Sequence, residues 1–589
     1  MDSVRHRSDE PANNDQRRPP AATSGRPLGG AREKIGMAAL AIERARRGTL
    51  ARIRRSRLLR WRHRSPIADD LLLAPPDLRP PDPSFVDEIE AGGFGLCGFT
   101  ANLRGASAFD VPPPHELWER ELHGFAWLRH CGAGWNLEND GVARQLVAAW
   151  IAGRRRHRPL AWAPDVVSRR MISWLSHAAL ILNNSERRAY AATLLSLEDQ
   201  VTYLSATWRN APDGYPRLLA LVGLTQSALC IAGHERRLPS AQRALAIELD
   251  RQVLADGGHI SRNPREVLEL LLDLLPLKQC FAARGITPSP ALPAAMDRVL
   301  SMLHHLRLGD GQLARFNGMG ATERDALATV MAYGREAARP AKLVSPSGYV
   351  RLARGPTVVL VDAAPPPPLD LAGSACAGCL SFEVSVGNEL LLVNGGVPGP
   401  AHDRGTSAAR STASHNTLEL GGQSSSRLVR GMGLASGSGA PIHKPDRVTC
   451  EVRADNGGLV LSASHDGYAE RFGISHSRTL KLAAAGDRLE GIDQLDGETR
   501  EVRFAWDMPF AIHFHLHPRC RARHHGDNAV EITSPGKTRW RLSATGAAAS
   551  LEDSIYYAEV ARPAQAQQIV LRAVCYGAAE VRWTLERMA

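Results

Sequence analysis

A loop between two predicted helices collects side chains that can hold an anion. It contains two glycines at 257–258, which permit a tight turn, and then His259, Arg262 and Asn263. The next residue, Pro264, is typical of the first turn of a helix, and helix N-termini attract anions. The loop is therefore a candidate anion site. A competing interpretation is that Asn263 only caps the helix, because a polar residue at this position commonly does so.

A second polar string lies far along the chain, just before a predicted strand. His415 is followed by Asn416, and three arginines flank them at 410, 427 and 430. Histidine can exchange a proton near neutral pH, and arginine can grip a carboxylate or sulfate through two parallel hydrogen bonds. The alternatives are an ordinary hydrogen-bonded histidine and solvated surface arginines. Arg410 is therefore a candidate to hold an acidic group, while residue type alone leaves both interpretations of His415 open.

The cysteines and the remaining histidines give little support for a metal centre. Nine cysteines are scattered, and Cys376 and Cys379 are the one close pair, so a four-cysteine zinc ribbon is excluded. His513, His515 and His517 alternate and are expected on one face of a strand. They have no acidic residue among them, which makes metal binding there the less favoured interpretation.

The positive charge of the chain is confined to its beginning. Residues 1–64 contain 17 basic and 6 acidic residues, which accounts for the whole formal net charge of +11. The remainder holds 55 of each sign. Nucleic-acid binding by the folded body is therefore not expected, and an acidic ligand must be held by locally placed side chains.

The N-terminal region divides into a tail and a basic helix. Residues 1–34 are rich in Pro, Gly, Asn, Asp and Arg, so we predict a disordered tail. Residues 35–73 are predicted to form an arginine-dense helix and linker. Such a helix can lie on an anionic membrane surface, or it can dock on its own protein with a solvated basic face. No apolar stretch reaches the ~20 residues that span a bilayer, and no export signal is recognisable.

The body changes its periodicity near residue 341. Helical patterns recur over 115–335, among them 115–130, 165–182 and 263–283. Consecutive helices of about fifteen residues with short loops build antiparallel pairs around a groove. We predict an α/α toroid over 74–340. After this point the period becomes 2, which predicts a large antiparallel β-sandwich over 341–589. The fold class is thus α+β and multidomain.

Helices followed by a sandwich, with particular local strings, resemble the heparinase II/III group of polysaccharide lyases. The resemblance covers roughly residues 70–589. Its strings are Trp162-Ala163-Pro164 with Arg169, Arg170 and Trp174; the loop 256–264; Leu380-Ser381-Phe382-Glu383; Ser414-His415-Asn416-Thr417; and His465-Asp466-Gly467-Tyr468 with His476. These lyases remove the proton beside a uronic acid carboxylate, and the glycosidic oxygen then leaves by β-elimination. The step needs a group that neutralises the carboxylate, a base and an acid.

The resemblance implies roles for particular residues. Asn263 would neutralise the carboxylate with assistance from His259 or Arg262, and His415 would face the groove or a structural metal. Substrate contacts are implied for a further set, in addition to Arg262: Arg315, Asn317, Arg410 and Asn416.

The chain also departs from the family pattern. A Tyr-His pair commonly follows the position of Pro264, but here Arg265 and Glu266 stand there. The stretch 310–317, where these lyases usually place a catalytic tyrosine, contains none, and Tyr215 and Tyr333 are substitutes that the sequence does not rank. Cys376, Gly378 and Asn394 replace the His and Asp residues of zinc-binding members, so zinc is not favoured.

Three functions follow from these observations. The first is a lyase that cleaves acidic, uronic-acid-containing polysaccharide. The second is a catalytically degraded polysaccharide-binding protein of the cell envelope, and the third is a glycoside hydrolase, which would need two carboxylates across the groove. The resemblance implies the envelope or periplasm, while the missing export signal keeps the cytoplasm open as the alternative. The sequence does not indicate an oligomeric state.

Overall fold

The computed structural model describes Thr49 and the ranges 70–132, 137–153, 158–333, 346–399, 403–429, 440–455, 457–497, 507–526, 528–559 and 562–588. The predicted tail over 1–34 and almost all of the predicted basic helix lie outside these ranges. Arg47–Ala589 forms one compact unit. The residues 334–345, around the predicted domain boundary, also lie outside the described ranges, so the predicted boundaries stay predictions.

The helical half begins with a short helix and a two-stranded hairpin, followed by a series of helices. The bounds are α1 Phe85–Glu90, β1 Gly93–Leu96, β2 Phe99–Asn102, α2 Glu116–Gly124, α3 Leu128–Cys131, α4 Leu137–Ala152, α5 Pro164–Ser176, α6 Ala178–Leu182, α7 Arg187–Thr207, α8 Tyr215–Cys230, α9 Leu238–Gln252, α10 Pro264–Ala283, α11 Ala291–His305 and α12 Arg324–Tyr333. No helix in the described ranges is long and apolar enough to cross a bilayer.

Helix α8 lies at the centre of this half. It is apolar over most of its length, and the whole stretch 218–230 is buried. It packs against α5, α9 and α10. A side chain at Gly223 would overlap the Ser168 hydroxyl of α5, so this glycine permits the close approach of the two helices. The core of the helical half is thus built around one fully buried helix.

Two predicted helices end earlier than their sequence patterns indicate. The pattern over 115–130 breaks after Gly124, because Phe125 adopts a left-handed backbone conformation (φ 59°) and α3 begins again at Leu128. The pattern over 165–182 is interrupted at His177, which separates α5 from α6. Buried aromatic contacts of Phe125 with Trp127 and Trp174 account for the first break, since they fix the ring inside the core.

The β half consists of antiparallel strands and two short helices. The bounds are β3 Tyr349–Arg354, β4 Thr357–Asp362, β5 Phe382–Val386, β6 Glu389–Leu392, α13 Asp403–Ala409, β7 Leu418–Leu420, β8 Arg427–Val429, β9 Ala440–His443, β10 Val448–Asp455, β11 Gly458–His465, α14 Ala469–Phe472, β12 Ile474–Ala483, β13 Arg488–Gly497, β14 Met508–His515, β15 Arg521–His524, β16 Ala529–Thr533, β17 Arg539–Thr545, β18 Ala548–Tyr556, β19 Ala564–Cys575 and β20 Ala578–Arg587.

These strands form an eight-stranded sheet and two four-stranded sheets around a common core, and β8 and β9 form a separate two-stranded pair. The eight-stranded sheet has the order β10-β11-β12-β13-β20-β17-β16-β15, and the four-stranded sheets are β18-β19-β14-β7 and β3-β4-β5-β6. Buried and less buried residues alternate along β12, as a strand with one face on the core requires. The predicted order, a helical half followed by antiparallel sheets, is confirmed.

The two halves share a core rather than meeting at a thin contact. The apolar cluster of the helical half includes side chains of the β half, among them Tyr349, Leu360, Leu390 and Tyr556. Such continuity fixes one half against the other, because large apolar interfaces resist relative motion. We call this boundary the seam, and most of the candidate site residues lie on it.

Candidate functional site

The loop 256–264 is held tightly by its two glycines. Gly257 has φ 90°, and a side chain there would overlap the carbonyl oxygen of Arg298. A Cβ on Gly258 would lie 2.5 Å from Cβ of Ser347 in the β half. Close backbone approach therefore requires both glycines, and the loop forms part of the seam.

His259 is buried in this loop and engaged on both sides of its ring. Only 1% of the residue is exposed. Nδ1 lies 2.7 Å from the Ser261 hydroxyl and Nε2 lies 3.0 Å from the Gln252 side-chain oxygen. The Glu266 carboxylate also lies 2.7 Å from Nδ1. This histidine holds the loop together, and its predicted catalytic role stays a prediction.

Arg262 points away from any groove and into the seam. Its backbone is left-handed (φ 58°), and its guanidinium forms an ion pair with Asp362 of β4. It also donates to the carbonyl oxygens of Ser347 at 2.8 Å and Pro365 at 2.8 Å. All of these partners belong to the β half. Arg262 therefore connects the two halves, and its predicted substrate contact would have to compete with these bonds.

Asn263 occupies the N-cap of α10. Its side-chain oxygen accepts from the Arg265 backbone N–H at 3.0 Å, and its amide nitrogen donates to the Ser374 hydroxyl at 3.3 Å. The residue is 7% exposed. The capping interpretation thus describes its observed contacts, while its predicted role toward a carboxylate is a proposal that these contacts do not support.

Arg315 and Asn317 are buried in the same seam. Arg315 lies 3.4 Å from the Glu383 carboxylate, and its guanidinium lies 5.3 Å from the centroid of the Tyr556 ring. The Asn317 amide donates to Asp362 at 2.9 Å and to the Tyr349 hydroxyl at 3.0 Å. Both predicted substrate-binding residues are thus held by protein groups, although Nε of Arg315 has no hydrogen-bond partner among the described residues.

His415 is fully buried in the β half. Its Nδ1 lies 2.7 Å from the Ser411 carbonyl oxygen, and its ring packs directly on Gly378. Burial lowers the pKa of His415 to about 4, although the hydrogen bond to Ser411 opposes this shift. The ring is therefore neutral at physiological pH. In the described ranges, no hydrogen bond or ion pair joins His415 to His259 or Asn263.

The neighbours of His415 are also structural. The Asn416 amide donates to the Phe382 carbonyl at 2.7 Å, and its oxygen accepts from the His515 backbone N–H at 2.6 Å. Nε of Arg410 donates to the Ala375 carbonyl at 2.8 Å. Asn416 therefore ties strands together, and Arg410 braces the segment that precedes β5.

The described part of the chain contains no group of three or more His, Cys, Asp or Glu residues placed to hold a metal ion. Cys376 and Cys379 are both buried and unpaired. Burial raises the pKa of the Cys376 thiol to about 11, so without a metal it is a protonated thiol at neutral pH.

The predicted stripe of histidines in the β half is only partly formed. The rings of His513 and His515 stack at 6.0 Å on β14, whereas His517 follows the strand end and contacts Tyr556. Elsewhere in this half, His476 bridges His465 at 3.1 Å and the buried carboxylate of Asp493 at 2.8 Å. Arg478 and Trp583 donate to the same carboxylate. These hydrogen bonds join the buried groups into one network inside the β half, although Nη2 of Arg478 has no hydrogen-bond partner among the described residues.

An open groove lies in the helical half. Its cavity has a volume of about 540 Å³. Five arginines line it: Arg79, Arg120, Arg129, Arg169 and Arg265. Carboxylates of Glu121, Asp165, Glu269 and Glu323 also line it. We call this cavity the arginine groove.

The floor of the arginine groove is a buried charge cluster. The Asp273 carboxylate accepts from Arg169 at 2.7 Å, from Arg79 at 3.0 Å and from the Tyr215 hydroxyl at 2.6 Å. Burial opposes ionisation of Asp273, but the two arginines outweigh it and hold the pKa of Asp273 well below its usual range. Glu269 pairs with Arg79 at 2.6 Å. The positive charges of the two arginines are thus neutralised by the negative charges of the two carboxylates.

Tyr215 is the tyrosine of this floor, and its environment keeps it protonated. Burial raises the pKa of Tyr215 well above its usual range, although Arg169 opposes the shift. The hydroxyl accepts from Arg169 at 2.7 Å and donates to Asp273. A tyrosine in this state can donate a proton or a hydrogen bond but is a poor base at neutral pH.

Sequence reasoning missed the arginine groove because its residues come from several separate elements. One signal was present in α10, where Arg265, Glu269 and Asp273 recur every four residues and so lie on one helical face. A charged stripe on an otherwise apolar helix is the pattern of a face that lines a polar cavity. Arg129 and Arg79 carry no comparable pattern.

Comparison with known proteins places the chain in a family. It is 30% identical over 534 residues to FtsZ-localized protein C of Caulobacter vibrioides (strain NA1000 / CB15N). The aligned region covers 89% of this chain and 91% of the relative. The family model of the heparinase II/III-like C-terminal domain matches residues 336–584. This chain belongs to the heparinase II/III family. The resemblance inferred from the motifs is therefore confirmed.

Solved structures agree with this fold. The chain resembles heparinase III with a TM-score of 0.69 at 13% identity, covering 95% of this chain and 92% of that chain. It also resembles heparan sulfate lyase HepC from Pedobacter heparinus with a TM-score of 0.58 at 16% identity, covering 94% of this chain and 90% of that chain. At these identities the likeness concerns the heparinase fold alone. The fold is that of polysaccharide lyases, and the site of this family member has to be judged on its own residues.

Proposed function

We propose that this heparinase II/III-family protein binds an acidic polysaccharide in the arginine groove without cleaving it. The observation that carries the proposal is the state of the candidate catalytic residues. His259, Asn263 and His415 are buried, and each forms hydrogen bonds with neighbouring groups of the protein. β-Elimination requires a base within hydrogen-bond reach of the substrate, and these side chains do not present one.

The lining of the arginine groove supports binding. Arg265 stands at the rim, where its side chain is 49% exposed and pairs only at 3.2 Å with the exposed Glu323. Nη1 of Arg129 donates to the Ala126 carbonyl at 2.7 Å, whereas its Nη2 forms no hydrogen bond with a described residue. Both guanidiniums have donors left for carboxylate groups of a ligand, and arginine binds such groups in a planar, bidentate way.

A binding experiment tests the proposal. Calorimetric titration of the protein with uronic-acid polysaccharides should give saturable binding that weakens with salt, as expected for charge contacts at a surface groove. Arg265→Ala and Arg129→Ala should each weaken it about fivefold or more. Arg488→Ala, which removes an exposed arginine of β13 outside the groove, is the matched control. Equal affinity of all four proteins would refute the groove assignment.

A second function is favoured by the full-length similarity to FtsZ-localized protein C. We propose that this protein also associates with FtsZ. The similarity spans nearly all of both chains, so it includes the helical half and the β half together. Polymers of FtsZ formed with GTP should carry the purified protein into the pellet, and a fluorescent fusion should collect at the division site.

The two functions are separable by experiment. If the protein stays in the supernatant and the fusion is diffuse, association with FtsZ is wrong, whatever the polysaccharide titrations give. Arg265→Ala should leave co-sedimentation intact if the polysaccharide occupies the groove independently. Loss of both activities in this variant would instead indicate that one surface serves both partners.

A further inference from the structure

A second polar cavity lies between the two halves and is lined in part by the segment 310–324. It has a volume of about 380 Å³ and shares no lining residue with the groove. Its walls are this segment, the start of β6, the segment after β14 and the end of β18. We call it the junction cavity. Its size falls within the range of small-molecule sites.

The floor of the junction cavity is fixed by buried contacts. Arg315, paired with Glu383, holds the ring of Tyr556 from behind. Gln312 accepts from Arg315 at 3.1 Å and donates to Asp310 at 2.6 Å. These bonds engage the floor residues with one another, so the cavity is preformed. The side chains that surround this floor are therefore the ones that can contact a ligand.

Two arginines and a histidine supply donors around the cavity. Arg324 of α12 and Arg519 are exposed, and neither forms an ion pair with a carboxylate in the ranges that the structure describes. Nδ1 of His517 accepts from the Arg519 backbone N–H at 3.3 Å, which places the ring proton on Nε2. Burial, Arg315 and Arg519 lower the pKa of His517 to about 4, so the ring is neutral. One cation comes from each half.

Carboxylates face the same cavity. Glu559 is exposed and has no cationic partner among the described residues, while Asp310 and Glu389 accept hydrogen bonds from neutral groups of the protein. Three carboxylates outnumber the two arginines, so a simple anion would meet repulsion. A simple cation would be repelled by Arg324 and Arg519. Charge complementarity thus favours a ligand that carries both signs.

We propose that the junction cavity binds a small zwitterion with a free carboxylate and a free ammonium group, of about the size of a dipeptide. Arg324, Arg519 and the Nε2–H of His517 hold the carboxylate. Glu559, with Asp310 beside it, holds the ammonium group. Since the arginines belong to different halves, the bound ligand also connects the helical half to the β half.

Calorimetric titration with alanylalanine and phenylalanyl-alanine tests this site on the full chain. Each should bind, and the N-acetylated and C-amidated forms should each bind about tenfold to a hundredfold more weakly, because each lacks one charge-assisted contact. Arg519→Ala should reduce the preference for the free carboxylate, because Arg324 and His517 remain, and Glu559→Gln should reduce the preference for the free ammonium group. Arg488→Ala should behave as the unchanged protein does.

Several outcomes would overturn the proposal. It is wrong if neither dipeptide binds at millimolar concentration, or if the capped forms bind as well as the free ones. It is also wrong if Arg519→Ala leaves the preference for a free carboxylate intact. The polysaccharide titration of the same Arg519→Ala protein should be unaffected, so failure here is distinguishable from failure of the groove assignment.

Discussion

At the scale of single residues, Asp273 is the side chain on which the floor of the arginine groove depends. It neutralises Arg79 and Arg169, whose side chains are only 12% and 16% exposed. Asp273→Ala should lower the free energy of unfolding by about 3–5 kcal/mol, because it leaves the largely buried Arg169 without a carboxylate partner and leaves Arg79 with Glu269 alone. Denaturant unfolding measures the change. Glu323→Ala at the exposed rim is the matched control and should change stability by less than about 1 kcal/mol.

The Asp273 cluster also predicts a dependence on acid. Its folded-state pKa is depressed, so its stabilising contribution is present above the unfolded pKa and is lost as pH falls through the folded value. The unfolding free energy of the wild-type protein should therefore fall in strong acid, and Asp273→Ala should show less of this fall. If the unfolding free energies of both proteins fall equally at low pH, Asp273 is not ionised in the folded protein.

A second residue-scale prediction concerns the packing of His415. A Cβ on Gly378 would lie 2.6 Å from Cδ2 of the His415 ring, so Gly378→Ala should destabilise the protein by about 1–3 kcal/mol. In the double variant Gly378→Ala/His415→Ala the clash is absent, and the two costs should be less than additive. Thermal unfolding of the four proteins measures this coupling. Strict additivity would contradict the contact.

The same residues show what sequence can predict about a site. The motif correctly marked the helix start after Asn263, because capping is a local property of neighbouring residues. It could not predict that Arg262 enters the seam, since its partner Asp362 is 100 residues away. Residue types identify the chemistry that is available, whereas burial and long-range partners decide whether that chemistry is free for a ligand.

At the scale of elements, Arg262 is the connection between α10 and β4. Arg262→Ala should lower the unfolding free energy by about 3–5 kcal/mol, because it leaves the Asp362 carboxylate buried without its cation. Arg265→Ala, three residues later at the groove rim, is the matched control and should be nearly neutral in stability. Urea unfolding followed by fluorescence measures both. A stable Arg262→Ala protein with weakened polysaccharide binding would instead favour its predicted substrate role.

Element boundaries were predictable where the chain carries a local signal. The helix predicted over 263–283 is found at Pro264–Ala283, which has a proline in its first turn and a capping residue before it. The hairpin of β1 and β2 was not predicted, because its two strands have four residues each and three glycines interrupt their pattern. The break at Phe125 was not predicted either, since it depends on tertiary aromatic contacts.

At the scale of the whole molecule, buried neutral histidines of the β half should make stability sensitive to mild acid. Burial and the neighbouring His513 and His415 lower the pKa of His515 to about 3. The unfolded chain binds this proton near pH 6.5, so the contribution is complete above that value and is lost as pH falls toward 3. His515 alone should lower the unfolding free energy at pH 5 by about 2 kcal/mol relative to its value at neutral pH.

The measurement is the melting temperature between pH 7.5 and pH 5. His515→Gln should melt lower than wild type at pH 7.5, because it loses the bonds to Ser554 and Ala413, but it should decline less toward pH 5. Replacement of the exposed His524 by Gln provides the control and should leave the wild-type slope. Equal slopes for His515→Gln and wild type would contradict the assignment of a buried neutral ring.

At the scale of the whole molecule, we propose a protein with a lyase fold that binds polysaccharide without cleaving it, and an absorbance measurement distinguishes binding from cleavage. Near-ultraviolet absorbance is followed during incubation with each uronic-acid polysaccharide that binds in the calorimeter, at saturating concentration, because β-elimination creates an unsaturated product that absorbs there. We expect the polysaccharide to bind without any rise in absorbance. A sustained rise that Asn263→Ala or His415→Ala abolishes would contradict it and would assign a lyase with those residues in its active site.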